Sequence, residues 1–353
     1  MARPLLAPPL EVVLEGARIV LGIFGVVLIL GVVFDVLWTT LRMAGAGPLT
    51  SWVTNLLWHL ALRVTPSHRA LSSAGFLIVL LTVFLWIGLV WLGWILVLGI
   101  DPGSVVNSQS GQPADFWART YFAGFTLITL GNGDFVPNGA VWQVLTPVAA
   151  ANGFFLVTLV ITYLLPLMSA ALQRRQLAVH INTLGKTPQE FLLRAWDGQS
   201  FGRLTEHLLG LTFPIMGLGE GHLAYPVLHC FHSSERETAM APNIAVLDEV
   251  LTLLESVALE QRPNRVAIYP LRGAIDRLLS TLADAHLEPE RNPPPLPDLK
   301  TLRAAGIPTI DDETFRFSLE VATDRRRLLF GLVEKEGWHW DDVVGRPPAD
   351  DSR

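Results

Sequence analysis

Three long apolar runs constrain this chain more than any other feature. Ala17–Leu41, Ala74–Gly99 and Val141–Ala170 all exceed the roughly 20 residues that carry an α-helix across a bilayer core. Hydrocarbon offers no hydrogen bonds, so a single run of this length satisfies its backbone there only as a helix. The residues before the first run include Glu11 and Glu15 as well as Arg3. That is not the basic leader of a secretory signal, and the run is too long for a signal core, so it reads as a retained transmembrane helix.

Composition locates the edge of the membrane part. Half of the 353 residues are hydrophobic and 16% are charged, with a mean hydropathy of +0.40, a balance that fits a membrane part joined to a water-soluble one. Residues 1–175 carry six acids and eight arginines with no lysine, whereas residues 176–353 carry the other 26 acids and 18 bases. The acidic second half gives no basic footprint for a nucleic-acid partner. Cys230 is the sole cysteine, so no disulfide framework exists within the chain.

Asp35 lies inside the first run, where a carboxylate is costly and is by default a functional candidate. The plainer expectation is that it pairs with Arg42 or another basic group near the end of the run. Between Pro48 and Pro66, Ser51, Asn55, His59 and Arg63 recur at every fourth place among apolar residues. This pattern predicts an amphipathic helix along the membrane surface, with a fourth span as the alternative. Arg42, Arg63 and Arg69 put the connector on the cytoplasmic side, where anionic lipid headgroups lie. The expected location is the cell membrane, with the second half of the chain in the cytoplasm.

The second run ends at Asp101-Pro102-Gly103, and Ser104–Gln112 reads as a polar external loop. Pro113 suits the first turn of a helix, with Asp115 near its positively polarised end. The stretch from Pro113 to about Leu127 is too short to cross, which predicts a re-entrant helix. It leads into T-L-I-T-L-G-N-G-D, Thr126 to Asp134. A chain that aims successive carbonyls at one axis needs backbone angles costly for residues with a Cβ, and the two glycines meet that need.

Thr129, Leu130, Gly131, Asn132, Gly133 and Asp134 closely resemble the T-V-G-Y-G-D selectivity filter of the potassium-channel superfamily. The likeness of span, short helix, loop and span covers about Ala74 to Arg175. It implies a homotetrameric cation channel in which backbone carbonyls of Thr129, Leu130, Gly131 and Asn132 bind K+ or Na+ as permeant ions, with no cofactor. It implies filter support from Tyr121 and Phe122, aromatic positions eight and seven places before the filter threonine, and from Thr126. Gly153 corresponds to the bending glycine of the inner helix, although close packing by a small residue explains it as well. Asn152, Thr158 and Thr162 are candidates to line a wet cavity, unless the threonines bond their own helix backbone. Pro166 is a candidate kink at the gate. Asp134 holds the place that braces the external mouth. Asn132 replaces the family's tyrosine, keeping the carbonyl but losing the ring and adding an amide that needs partners. The expected result is a softer outer filter with weak K+ over Na+ selectivity; the alternative is that neighbours such as Phe135 preserve the K+ preference.

In the second half, helical spacing recurs at Gln189–Trp196, Gly202–Leu211, Ala245–Leu259, Arg265–Leu287 and Asp312–Lys335. Leu247, Val250, Leu251 and Leu254 form one apolar face, and Pro293–Pro297 reads as a spacer between helices. The expected fold class is an all-α membrane protein. It comprises an added transmembrane helix and an interfacial helix (1–73), a pore domain (74–175), a helical cytoplasmic domain of unassigned ligand (176–340) and a disordered tail (341–353). No run carries the regularly spaced basic residues of a voltage sensor. Gly217-Leu218-Gly219-Glu220-Gly221 lacks the spacing of a phosphate loop and reads as a turn. His222, His229, Cys230 and His232 lack the paired spacing of a metal site and read as ordinary surface or core residues. No nucleophile motif points to an enzyme. A pore-like scaffold or sensor that does not conduct is the alternative to a channel.

Overall fold

The computed structural model describes residues 10–42, 45–64, 68–285 and 287–345. Arg3, the residues beyond 345 and the side chain of Arg69 lie outside the described set. The chain divides into two units, one of Met1–Leu57 with Leu77–Pro166 and one of Trp58–Phe76 with Leu167–Arg353. The divisions therefore fall inside helices rather than at the expected 73/74 and 175/176. Charge content marks where a helix leaves an apolar medium, whereas contacts mark which residues pack together.

In the first unit, α1 (Leu10–Leu41), α3 (His68–Leu98) and α5 (Ala140–Leu184) are the described helices long and apolar enough to cross a membrane. The shorter α2 (Pro48–Val64) is not one of them. α1 and α3 meet at glycines: a Cβ on Gly25 would stand 2.6 Å from the Gly93 carbonyl oxygen. Small residues of this kind let backbones approach where lipid supplies no hydrophobic drive between helices. Asp35 is buried at the junction of α1 and α2. Its carboxylate accepts from Leu49 N at 2.8 Å, Thr50 Oγ1 at 2.6 Å and Trp86 Nε1 at 3.1 Å. It thus answers the open amides at the start of α2, where the helix dipole favours an anion. The expected pairing with Arg42 gives way to this cap, and the Arg42 guanidinium lies 4.2 Å over the Trp38 ring.

Between α3 and α5 stand α4 (Phe116–Leu127) and two short antiparallel strands, β1 (Val105–Asn107) and β2 (Phe135–Pro137), with Val106 opposite Val136. The stretch expected as loop from Ser104 thus contributes a strand. The helix begins at Phe116, not Pro113, because Pro113 bridges to Val106 and Asp115 is the N-cap, accepting from Ala118 N at 2.8 Å.

The second unit contains the end of α5 and then α6 (Pro188–Ala195), α7 (Leu204–Ala224), α8 (Met240–Leu254), α9 (Arg265–Ala285), α10 (Lys300–Ala304), α11 (Asp312–Lys335) and α12 (Trp340–Val344). Gly217–Gly221 sits within α7, not in a turn. A Cβ on Gly219 would lie 3.7 Å from Leu278 of α9, an ordinary contact. The expected disordered tail begins within α12, where Val343 buries into the core. Pro293–Pro297 is non-helical between α9 and α10, as a spacer would be.

Every residue of α8 is buried, so the single apolar face expected there is too narrow a description. Two adjacent carboxylates are enclosed with the apolar residues. Asp248 pairs with Arg272 at 2.6 Å and Arg325 at 3.2 Å, and Glu249 with Arg326 at 2.6 Å. Burial pushes the Glu249 carboxyl above its ordinary range, and the Arg326 guanidinium opposes that. A buried pair is costly to break because the survivor keeps its desolvation cost, whereas hydrophobic replacement of both partners is close to neutral. Arg326→Met is therefore expected to destabilise the second unit by about 3–5 kcal/mol, and Glu249→Leu with Arg326→Met to recover most of the loss. Urea unfolding of the purified protein checks this, and a double variant no more stable than the single one refutes it.

Candidate functional site

The site is built from the end of α4. This helix is clamped from both sides: the Trp91 indole N–H of α3 donates to the Thr120 carbonyl at 3.0 Å, and Gly153 of α5 lies directly against the Leu127 carbonyl. A Cβ at position 153 would overlap that oxygen. Phe122, Ala123, Phe125, Thr126 and Leu127 form the buried face. The Thr126 hydroxyl is buried without a hydrogen-bond partner among the described residues.

The last carbonyls of α4 are satisfied by the chain that follows. Leu130 N donates to the Phe125 carbonyl at 2.8 Å and Thr129 N to the Thr126 carbonyl at 3.0 Å, the paired closure of a Schellman motif. That closure needs a left-handed residue at its turn, and here it is Thr129, with φ 56°. A β-branched residue pays for this conformation in strain, which makes Thr129 an outlier of the kind found at functional sites. Gly131 at φ 61° and Gly133 at φ 82° follow, while Leu130 and Asn132 between them have no positive φ. Alternation of φ sign turns successive peptide groups the same way, so that carbonyls gather on one side and amides on the other. Nothing stands within 4 Å of a Cβ built on Gly131 or Gly133, so within one chain it is conformation, not crowding, that requires glycine.

The loop is tied back at its outer end. Ser108 N donates to the Asp134 carbonyl at 3.0 Å beside the β1–β2 pairing, and the Trp142 indole donates to Asp101 at 3.0 Å. Asn132 turns its side chain towards α4, where its amide donates to the Tyr121 hydroxyl. The Tyr121 ring packs edge-on to Phe125 at 5.1 Å and Phe135 at 6.3 Å. The amide introduced by Asn132 therefore has its partner. Thr129 through Asp134 are exposed in the single chain.

On α5, Asn152 accepts from the Trp94 indole at 3.2 Å, which joins α5 to α3. Thr158 and Thr162 each donate to the carbonyl one turn earlier at 2.8 Å, as the plainer expectation had it. Pro166 is exposed inside the continuous helix. Farther along, Arg174 is buried. Its guanidinium donates to the carbonyls of Leu228 and Phe231 at 2.7 and 2.8 Å and pairs with Glu336 at 2.7 Å. Residue pattern alone pointed to neither Trp91, Trp94, Ser108 nor the Arg174 niche, because each depends on a partner distant in sequence. Among the described residues no three His, Cys, Asp or Glu side chains converge to hold a metal. Burial pushes the Cys230 thiol up, against the opposing charge of Arg174, which keeps it neutral.

The family model described as "Ion channel" matches residues 75–170, the stretch that holds α4, the glycine loop and most of the apolar part of α5. An uncharacterized membrane protein of Bacillus subtilis (strain 168), YdjJ, is 36% identical over 321 residues, covering 90% of this chain and 94% of its own length. No solved structure matches the chain.

Because Gly153 leaves no room for a side chain against Leu127, Gly153→Val is expected to push α4 away from α5 and lower stability by about 1–3 kcal/mol. Thermal unfolding of the purified protein measures it, and an unchanged midpoint refutes the contact.

Proposed function

This chain belongs to the family of the Bacillus subtilis membrane protein YdjJ and carries an ion-channel segment at residues 75–170, and from that premise we propose that four copies assemble around one axis as a cation channel. Thr129, Leu130, Gly131, Asn132, Gly133 and Asp134 are its filter, and the carbonyls of Thr129 to Asn132 take the place of the hydration shell of K+ or Na+. One loop cannot encircle an ion, and a closed ring of identical copies can. The observation that carries this reading is the alternation of left-handed φ at Thr129, Gly131 and Gly133 immediately beyond the closed end of α4. Non-helical backbone at bilayer depth is tolerated where it is buried in protein or lines a wet path, and a filter is such a use. The same reading places the assembly in the cell membrane with the second unit in the cytoplasm, and assigns the chain transport rather than catalysis.

Selectivity follows from the outer part of the loop. Asn132 bonds the Tyr121 hydroxyl, and this contact of two small polar groups stands where the family's tyrosine packs a whole ring. Less aromatic bulk behind the carbonyls gives a filter that tightens less around a dehydrated ion, so K+ is preferred only weakly over Na+. Tyr121 and Phe122 support the loop from α4, and Gly153, Asn152, Thr158, Thr162 and Pro166 belong to the inner helix that gates it.

Purified protein in liposomes is expected to pass both K+ and Na+, to exclude N-methyl-D-glucamine, and to lose flux in Gly131→Ala. Strong K+ preference would overturn the selectivity reading, and absence of flux for every ion would overturn the channel in favour of a non-conducting scaffold. Tyr121→Phe removes the acceptor of the Asn132 amide and is expected to raise Na+ permeation relative to K+ severalfold, read from bi-ionic reversal potentials.

A further inference from the structure

Within the second unit, the end of α8, the turn that follows it, the start of α9 and Ser318 of α11 surround a cavity of about 580 Å3. That volume lies inside the range of small-molecule sites. Its apolar lining includes Leu251, Leu254, Leu259 and Ile268, to which the largely exposed Tyr269 adds a ring. Its charged lining is Glu255, Arg262 and Arg265.

These charges do not cancel. Glu255 is committed to Arg272 at 2.9 Å, which also holds Asp248 at 2.6 Å. Arg262 is anchored by neutral groups: its Nε donates to the Val257 carbonyl at 2.7 Å and its Nη2 to the Glu255 carbonyl at 2.6 Å, while Nη1 has no partner among the described residues. Arg265, three residues on, is exposed, and its side chain makes no hydrogen bond or ion pair among the described residues. Burial lowers the Arg262 pKa; Glu255 opposes this, and repulsion from Arg265 adds to it. An anion lodged against both guanidiniums replaces that repulsion with attraction.

We propose that this cavity binds a phosphate monoester carried on an apolar or aromatic body. Such a phosphate has a charge of about −1.5 to −2 at neutral pH, which matches two guanidiniums, whereas a carboxylate matches one. The planar fork of arginine suits phosphate oxygens, and charge-assisted bonds of this kind are the strong ones. Arg262 is already oriented by its two carbonyl acceptors, so little of its freedom is left to lose on binding. Arg265 is the mobile partner that closes on the ligand, and the leucines, Ile268 and the Tyr269 ring receive the body. A phosphatidate headgroup and a water-soluble phosphate ester share this chemistry. The binding does not rest on the channel reading.

The test is titration calorimetry of the full chain in phosphatidylcholine nanodiscs with phenyl phosphate. Saturable binding is expected, tighter than that of benzoate, which has the ring but one charge, and tighter than that of inorganic phosphate, which has the charge but no ring. Arg265→Gln removes one charge-assisted hydrogen bond and is expected to weaken binding about tenfold. Tyr269→Glu sets a carboxylate beside Arg262 and is expected to abolish it. Both positions are exposed, so the thermal midpoint of each variant should stay at the wild-type value. Arg277→Gln removes an exposed charge farther along α9, outside the cavity, and should bind as wild type does. Discs containing phosphatidate distinguish the source: loss of phenyl phosphate binding there assigns the site to lipid, and unchanged binding assigns it to a water-soluble ester. No saturable binding, equal affinity for benzoate or inorganic phosphate, wild-type affinity in Arg265→Gln or Tyr269→Glu, or an equal loss in Arg277→Gln would overturn the site.

Discussion

A helix leaves its last carbonyls without partners of its own, and the way α4 meets this requirement sets the geometry of the loop beyond it. Two amides from the following residues return to Phe125 and Thr126, and the turn forces Thr129 into the left-handed region. That strained residue starts the alternation continued by Gly131 and Gly133. The surrounding structure holds it there. Trp91 pins the middle of the helix, Gly153 admits the Leu127 carbonyl against α5, and the β1–β2 pairing with Ser108 secures the far end. Backbone strain of this kind persists only where the neighbours over-determine it.

Charged groups in apolar surroundings recur through the chain, and several are met by partners distant in sequence. Asp35 is enclosed near the end of α1 because the first amides of α2 and the Trp86 indole converge on it. Arg174 is enclosed because two carbonyls and Glu336 meet it. Asp248 and Glu249 lie in the wholly buried α8 because three arginines from α9 and α11 reach them. Such pairs add little net stability but penalise any packing that separates the partners, so they bear on which arrangement forms. α5 is shared by both units as one uninterrupted helix, with the glycine loop preceding its start and Arg174 near its end.

The three long apolar helices, the short helix before the glycine loop, the loop itself and the helical second half were all legible in the residues alone. Each rests on a local rule: run length against bilayer thickness, helical spacing of apolar residues, and glycine where φ is positive. Asp312–Lys335 matches α11 end for end, because Asp311 caps its start by accepting from Glu313 N and Thr314 N. Local rules failed where a distant partner overrode them. Gly217–Gly221 looked like a turn but continues a helix that packs on α9, and the stretch from 341 looked disordered but includes Val343, which buries into the core.

The amino-acid sequence by itself determined that this chain inhabits a membrane, that its spans are helical and that one glycine loop interrupts them, since hydrocarbon leaves a backbone few other choices. Only the tertiary structure decided that Thr129 is the left-handed residue, that Asn132 finds the Tyr121 hydroxyl, and that Arg174 is held by Glu336 far along the chain. Those outcomes depend on which groups meet after the helices pack, and a hydrogen bond between residues far apart in sequence leaves no trace in the spacing of either.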